Sequence, residues 1–257
     1  MRRIAIALLA VATCVALVPS SYATVLMSEG FPYADGSLVV NSAGNRTTHS
    51  GTCTDITMTG GRSVGDMASA PDDNRTFTAQ SSTTPIYACF EVTIPDPGGA
   101  PKLVYFAHLK DTGTINFGSR VYVAPLASGW TFALSHSSTS TAVGVVLWSA
   151  SSLVYGQHYT IVTKYNPDSK TSTLWVNPTS EASTSISQAG TLAVVMSAYA
   201  LRQSSTAATV TTGTLTGSVN WKYSVDQLGV GTTFGDACFQ YTPAKSSTWG
   251  RIKTVYR

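Results

Sequence analysis

Histidine, arginine, tyrosine and carboxylate side chains are the groups that could do chemistry in this chain, and few of them stand close together. The densest grouping is His108, Asp111 and Arg120, which two adjacent antiparallel strands joined by a turn would bring together. Such a trio could hold an anion on the guanidinium and pass a proton through the imidazole. The same residues also suit a structural arrangement, with Asp111 starting the turn, Arg120 tying it down and His108 filling a groove wall.

Other chemistries lack their residues. Retaining glycoside hydrolysis needs two carboxyl groups about 5 Å apart on one face. Asp72 and Asp73 are adjacent and would point to opposite sides of a strand, and Glu91 is the only carboxylate within a strong middle strand. The histidines His49, His108, His136 and His158 are isolated, without the H-x-H or H-E-x-x-H spacing of a metal centre. No G-x-S-x-G elbow presents a serine nucleophile.

The elements that would position these side chains are strands. The stretch YTIVTKYNPDSKTSTLWV, residues 159–176, holds two runs of period two around Asn166-Pro167-Asp168-Ser169, and reads as a hairpin whose turn is set by Pro167 and Asp168. Alternation expects further strands at 25–33, 86–94, 103–109, 119–125, 130–135, 143–149, 191–202 and 221–231. Segments 56–61 and 62–67 carry too few apolar residues for strands, 71–76 reads as loop, and 181–188 as a polar connection. No segment before residue 245 shows a sustained 3.6-residue apolar stripe, so the expected fold is all-β, two packed antiparallel sheets.

Composition bounds location and partners. Residues 1–23 read as a signal peptide: Arg2 and Arg3 precede the apolar run IAIALLAVATCVALV, then Pro19 and Ser21-Tyr22-Ala23. The expectation is a secreted chain with no transmembrane span after cleavage. Without Arg2 and Arg3 the chain has 14 Lys and Arg against 13 Asp and Glu, and Lys245, Arg251, Lys253 and Arg257 crowd its end. The body is therefore slightly acidic, which argues against nucleic acid as a partner. Residues 24–238 suit one domain and 239–257 a basic, aromatic tail. Cys53, Cys89 and Cys238 remain after cleavage, enough for one disulfide in any of three pairings, or for three buried thiols.

Several motifs, in order, resemble the secreted bacterial laminin-G-like family of concanavalin A-like jelly rolls. They are Glu29-Gly30-Phe31-Pro32-Tyr33-Ala34-Asp35-Gly36-Ser37-Leu38, Thr47 to Thr52, Tyr105 to Asp111, Arg120-Val121-Tyr122, Thr173 to Pro178 and Val225 to Thr232. The resemblance implies a jelly-roll β-sandwich that binds an extracellular glycan or cell-surface component, or builds such a surface, without catalysis. It also implies a structural calcium ion at Asp226 with Glu29 opposite, completed by carbonyls and water. Polysaccharide lyases on this fold use an Arg or Gln with a Tyr and His pair. Their R-x-E-x-R, Q-I-H and Y-x-K-x-G-x-Y spacings are absent, which leaves His108, Asp111 and Arg120 as the residues of an alternative, enzymatic reading. Among the tryptophans, Trp130 beside Gly129 is the candidate sugar platform, and Trp148 and Trp175 suit the core.

Overall fold

The computed structural model describes residues 24–136, 142–210 and 215–238; the expected signal peptide and the tail lie outside the described residues. In chain order the elements are β1 (Val25–Glu29), β2 (Gly36–Ser37), α1 (Leu38–Asn41), β3 (Thr47–Ser50), β4 (Thr57–Thr59), β5 (Arg62–Asp66), β6 (Asp72–Thr76), β7 (Ile86–Thr93), β8 (Val104–Lys110) and β9 (Phe117–Pro125). They continue as β10 (Trp130–Ser135), β11 (Ala142–Val143), β12 (Val146–Leu147), β13 (His158–Asn166), β14 (Thr171–Val176), β15 (Ile186–Ala189), β16 (Ala198–Arg202), β17 (Thr209–Val210), β18 (Lys222–Gly231) and α2 (Phe234–Cys238).

Two antiparallel sheets face each other. One has nine strands, ordered β15-β14-β13-β7-β18-β5-β4-β2, with β1 also pairing β18; the other runs β12-β10-β9-β8-β16-β6-β3. Period-two alternation divides each strand between interior and exterior. On β7, Ile86, Ala88, Phe90 and Val92 enter the sandwich core, while Tyr87 and Cys89 belong to a separate outer cluster. From the facing sheet, Phe106, Val121, Val123, Phe132 and Leu201 fill the same interior. The fold is thus the expected concanavalin A-like jelly roll. No helix of the described residues is long and apolar enough to cross a membrane.

The central hairpin forms as read, with Ile161 opposite Val176 and Asn166 opposite Thr171. Its turn is held by a residue the sequence reading passed over: the side-chain oxygen of Asn166 accepts from the amides of Asp168 (3.1 Å) and Ser169 (3.2 Å). Several local expectations change: the strand expected over 25–33 ends at Glu29, and the one over 143–149 is reduced to β11 and β12. Residues 72–76 are a strand rather than a loop, and their polar composition does not prevent pairing because both neighbours, β16 and β3, supply backbone partners. Residues 57–59 and 62–66 form the hairpin β4–β5 despite few apolar residues. The strand expected over 191–202 shrinks to Ala198–Arg202, while Ile186–Ala189 adds an edge strand beside β14.

Of the three pairings open to the cysteines, the fold takes Cys89–Cys238, at a Cα–Cα distance of 5.2 Å, and leaves Cys53 free and exposed. The bond fixes α2 against the outer face of the nine-stranded sheet, where Phe234 and Ala237 pack with Tyr87, Val162 and Trp175.

Candidate functional site

The chemistry-bearing residues gather on the outer face of the seven-stranded sheet. Simple alternation would put Tyr105 and His108, three residues apart, on opposite faces. A bulge prevents this: Tyr105 pairs Tyr122 and Ala107 pairs Val121, two steps on β8 against one on β9. Phe106 and Ala107 therefore both enter the core, and Tyr105 and His108 both face out, their rings 5.3 Å apart. A second bulge follows on β9, where Ala107 pairs Val121 but Leu109 pairs Gly118. The extra residue is Ser119, held at φ +49°, its hydroxyl bonding inward to the Lys164 carbonyl at 3.2 Å and to Ser172 Oγ at 2.8 Å. Phe117 and Arg120, again three apart, are thereby aimed to the same outer face. A non-glycine residue with left-handed φ next to a charged side chain is the kind of strain that collects at functional sites.

Around these the fold adds residues from distant segments. The ring of Tyr105 lies between two guanidinium groups, Arg202 at 4.1 Å and Arg120 at 5.0 Å from its centroid, and Arg120 also donates to its hydroxyl. Arg202 reaches Asp72 at 3.6 Å. His49 lies 6.1 Å from His108, and Phe117 closes the group at 4.5 Å from His108. Ala200 pairs His108 across the ladder, and both are fully buried.

The electrostatics follow from burial. His108 is fully buried, and desolvation followed by His49 and the nearby cations Arg202, Arg120 and Lys110 keeps its pKa well below the ordinary value. His49 is pushed down to about 4, by burial first and then by Lys110, so its 3.8 Å approach to Asp72 is not an ion pair at neutral pH. Burial raises Asp72 to about 7 against the pull of Arg202, and Tyr122 to about 12. Two arginines and Lys110 thus face one half-neutralised carboxylate. Neither ring nitrogen of His108, nor Asp72 Oδ1, has a hydrogen-bond partner. His136 shows the contrast: its Nδ1 meets Ser172 Oγ at 2.8 Å and its Nε2 the Leu192 carbonyl at 3.0 Å, and it is a satisfied structural residue.

Part of this face is roofed. β11 and β17 pair in parallel, and Val145, Leu147, Ala208 and Leu215 beside them pack on Leu103, Tyr122, Ala124 and Ala133. Lys102 Nζ on the Ser205 carbonyl (3.2 Å) and Ala208 N on the Leu103 carbonyl (2.8 Å) fasten this strap.

The structure therefore joins His108 and Arg120 and separates Asp111, whose carboxylate accepts from Gly113 N (2.8 Å) and Asn116 Nδ2 (2.7 Å) and caps the turn. Arg202, His49, Asp72 and Tyr105 complete the group; strand order brings them in, and nothing in local sequence announces it. Trp130 is not a platform: it is 0 % exposed and stacked on Tyr155 at 5.5 Å, because its strand position faces the core. Glu29 and Asp226 do not fit a calcium ion. Glu29 is buried with Arg75 at 2.9 Å and Arg46 at 3.4 Å, and Asp226 takes Arg62 at 3.2 Å and Gln227 N at 2.8 Å. Guanidinium groups already supply the positive charge, and no cluster of three or more metal-ligating side chains occurs among the described residues.

No known family model matches the chain, and no curated protein matches it. Among solved structures, a sialidase is similar at 12% identity, TM-score 0.52, over 80% of this chain and 19% of that one. The chain thus spans about a fifth of the sialidase's length. An alginate lyase aligns at 10% identity, TM-score 0.46, over 81% of this chain and 96% of that one. A Lotus tetragonolobus seed lectin aligns at 15% identity, TM-score 0.38, over 73% and 92%. At such identities the likeness speaks for the fold alone.

Proposed function

We propose that this domain is an exported, laminin-G-like recognition module that binds an acidic glycan on the outer face of its seven-stranded sheet. The observation that supports it most is His108, buried with both ring nitrogens unpartnered beside the Arg120–Tyr105–Arg202 stack. A buried polar atom without a partner costs about 1–3 kcal/mol, a cost relieved when a ligand's hydroxyl or carboxylate arrives. The excess of cations selects a carboxylate, so a uronate is the sugar whose groups match: its carboxylate for the guanidinium groups, its hydroxyls for His108 and Asp72.

One observation favours a second reading, β-elimination at the same place. A neutral imidazole and the Tyr105 hydroxyl flank the position where Arg120 would hold the carboxylate. Loss of the proton beside that carboxylate to the neutral His108, with cleavage of the neighbouring C–O bond and a proton given to the leaving oxygen by the Tyr105 hydroxyl, would give an unsaturated product. Calorimetry with uronate oligomers and neutral oligomers of equal length, together with ultraviolet absorbance for unsaturated uronates, tests both. Uronate binding without absorbance is the expected outcome. Absorbance lost in His108→Ala would establish the enzyme, and preference for the neutral oligomers at this face would sink both readings.

A further inference from the structure

The structure points to a second carbohydrate site, for a neutral sugar, at the loop end of the sandwich; it stands on different residues from the acidic-glycan site and does not depend on it. We propose that Tyr155 is its stacking platform and Asp96 its hydroxyl acceptor. A cleft of about 510 Å³ opens there between the loops that follow β7 and β9 and the segment that precedes β13, lined by Asp96, Gly98, Gly99, Leu126, Gly129 and Tyr155 among others. Its volume is within the range of small-ligand clefts.

Three features give the cleft its chemistry. Tyr155 is half-buried and backed by Trp130, 5.5 Å away and 19° from parallel, so the ring is rigid, and a rigid aromatic face is what the apolar C–H side of a pyranose stacks on. Asp96 is fixed in direction, because its Oδ1 accepts from Gly98 N at 2.8 Å, and it lies close enough to raise the pKa of Tyr155 after burial has done so. Oδ2 makes no hydrogen bond among the described residues and remains for a sugar hydroxyl. Gly98 and Gly129 hold φ of +76° and +86°, conformations open to glycine; Gly98 has open space where a side chain would stand and leaves the rim clear for a flat ring, while Gly129 packs against Ser152.

The charge separates this site from the first. One carboxylate lines it and no cation does, so a uronate would be repelled here while the Arg120 face attracts it. The domain then reads a neutral residue and an acidic residue at separate places, which suits a heteropolysaccharide or two chains held together.

The test uses the full-length protein and a panel of neutral hexose oligomers, gluco-, galacto- and manno-configured, at millimolar concentration. Saturation-transfer NMR reports contact, and intrinsic fluorescence reports on Trp130 beneath the platform. At least one neutral oligomer is expected to bind, with affinity falling about tenfold or more in both Tyr155→Ala and Asp96→Asn. Uronate binding should stay unchanged in Asp96→Asn, an exposed substitution that does not threaten folding. Absence of binding by every neutral oligomer, or binding retained in either variant, would overturn the proposal. Arg120→Gln, which targets the other face, should leave the neutral sugar bound.

Discussion

On the nine-stranded sheet the outward residues Tyr87, Cys89, Val162 and Trp175 are covered by α2 and the Cys89–Cys238 bond. On the seven-stranded sheet the outward residues are His49, Asp72, Tyr105, His108, Arg120 and Arg202, and beside them the strap of β11 and β17 covers Leu103, Tyr122, Ala124 and Ala133 and packs against Tyr105. Both faces bury side chains, although on the second His49, Tyr105 and Arg202 stay partly exposed. The first buries apolar rings and stabilises the fold; the second buries polar atoms and leaves several without partners. A cover of the first kind adds stability, whereas the second kind lowers it and is retained where a ligand makes use of it.

The largest expected effect tests the stabilising face. Replacing both cysteines, Cys89→Ser with Cys238→Ser, opens a loop of sequence separation 149 and should lower stability by about 2–4 kcal/mol in urea unfolding. Uronate affinity should not change, and a parallel loss of binding would break the division between the faces. Next comes Arg120→Gln, expected to weaken uronate binding about 10- to 100-fold by calorimetry while leaving Tyr105 stacked on Arg202. A smaller effect is pH dependence. Folding raises Asp72 to about 7 and Asp73 to about 8, chiefly by burial and for Asp73 also through Asp55. The folded state holds protons that the unfolded chain has released, so this stabilisation is complete below the ordinary carboxylate pKa and is lost as pH rises through 7 and 8. The buried histidines act oppositely: His49, lowered to about 4, costs stability as pH falls below its ordinary value. Urea midpoints between about pH 7 and about pH 9 should therefore decline, and Asp73→Asn should flatten the decline. The smallest is Glu181→Gln, which removes a half-exposed partner of Lys164 and Tyr87 and should cost no more than about 1 kcal/mol.

The alternating runs of β7, β9, β10, β13 and β14 were legible because each strand buries one face, and an apolar residue at every second position records that burial. The bulges were not. Their signature is one residue too many between outward positions, and Tyr105-Phe106-Ala107-His108 looks like ordinary strand until its pairing is known. His108 and Arg120 could be joined from sequence because a short turn links their strands. Arg202, His49 and Asp72 arrive from segments far apart in the chain, through the neighbourship of β8, β16, β6 and β3. Asp111 was half legible: its turn-starting role holds, its place beside His108 does not. Trp130 led to the right loops but the wrong ring, since the tryptophan is inside and Tyr155 outside it.

Thr24 exchanges hydrogen bonds with Thr232, 3.0 Å and 3.1 Å, and six residues later Cys238 is bonded to β7. The first and last described segments thus meet on the nine-stranded sheet. A dye or carrier placed on Thr24 or Thr232 would sit on the opposite side of the sandwich from the arginine-bearing face, a ready handle for an immobilised assay.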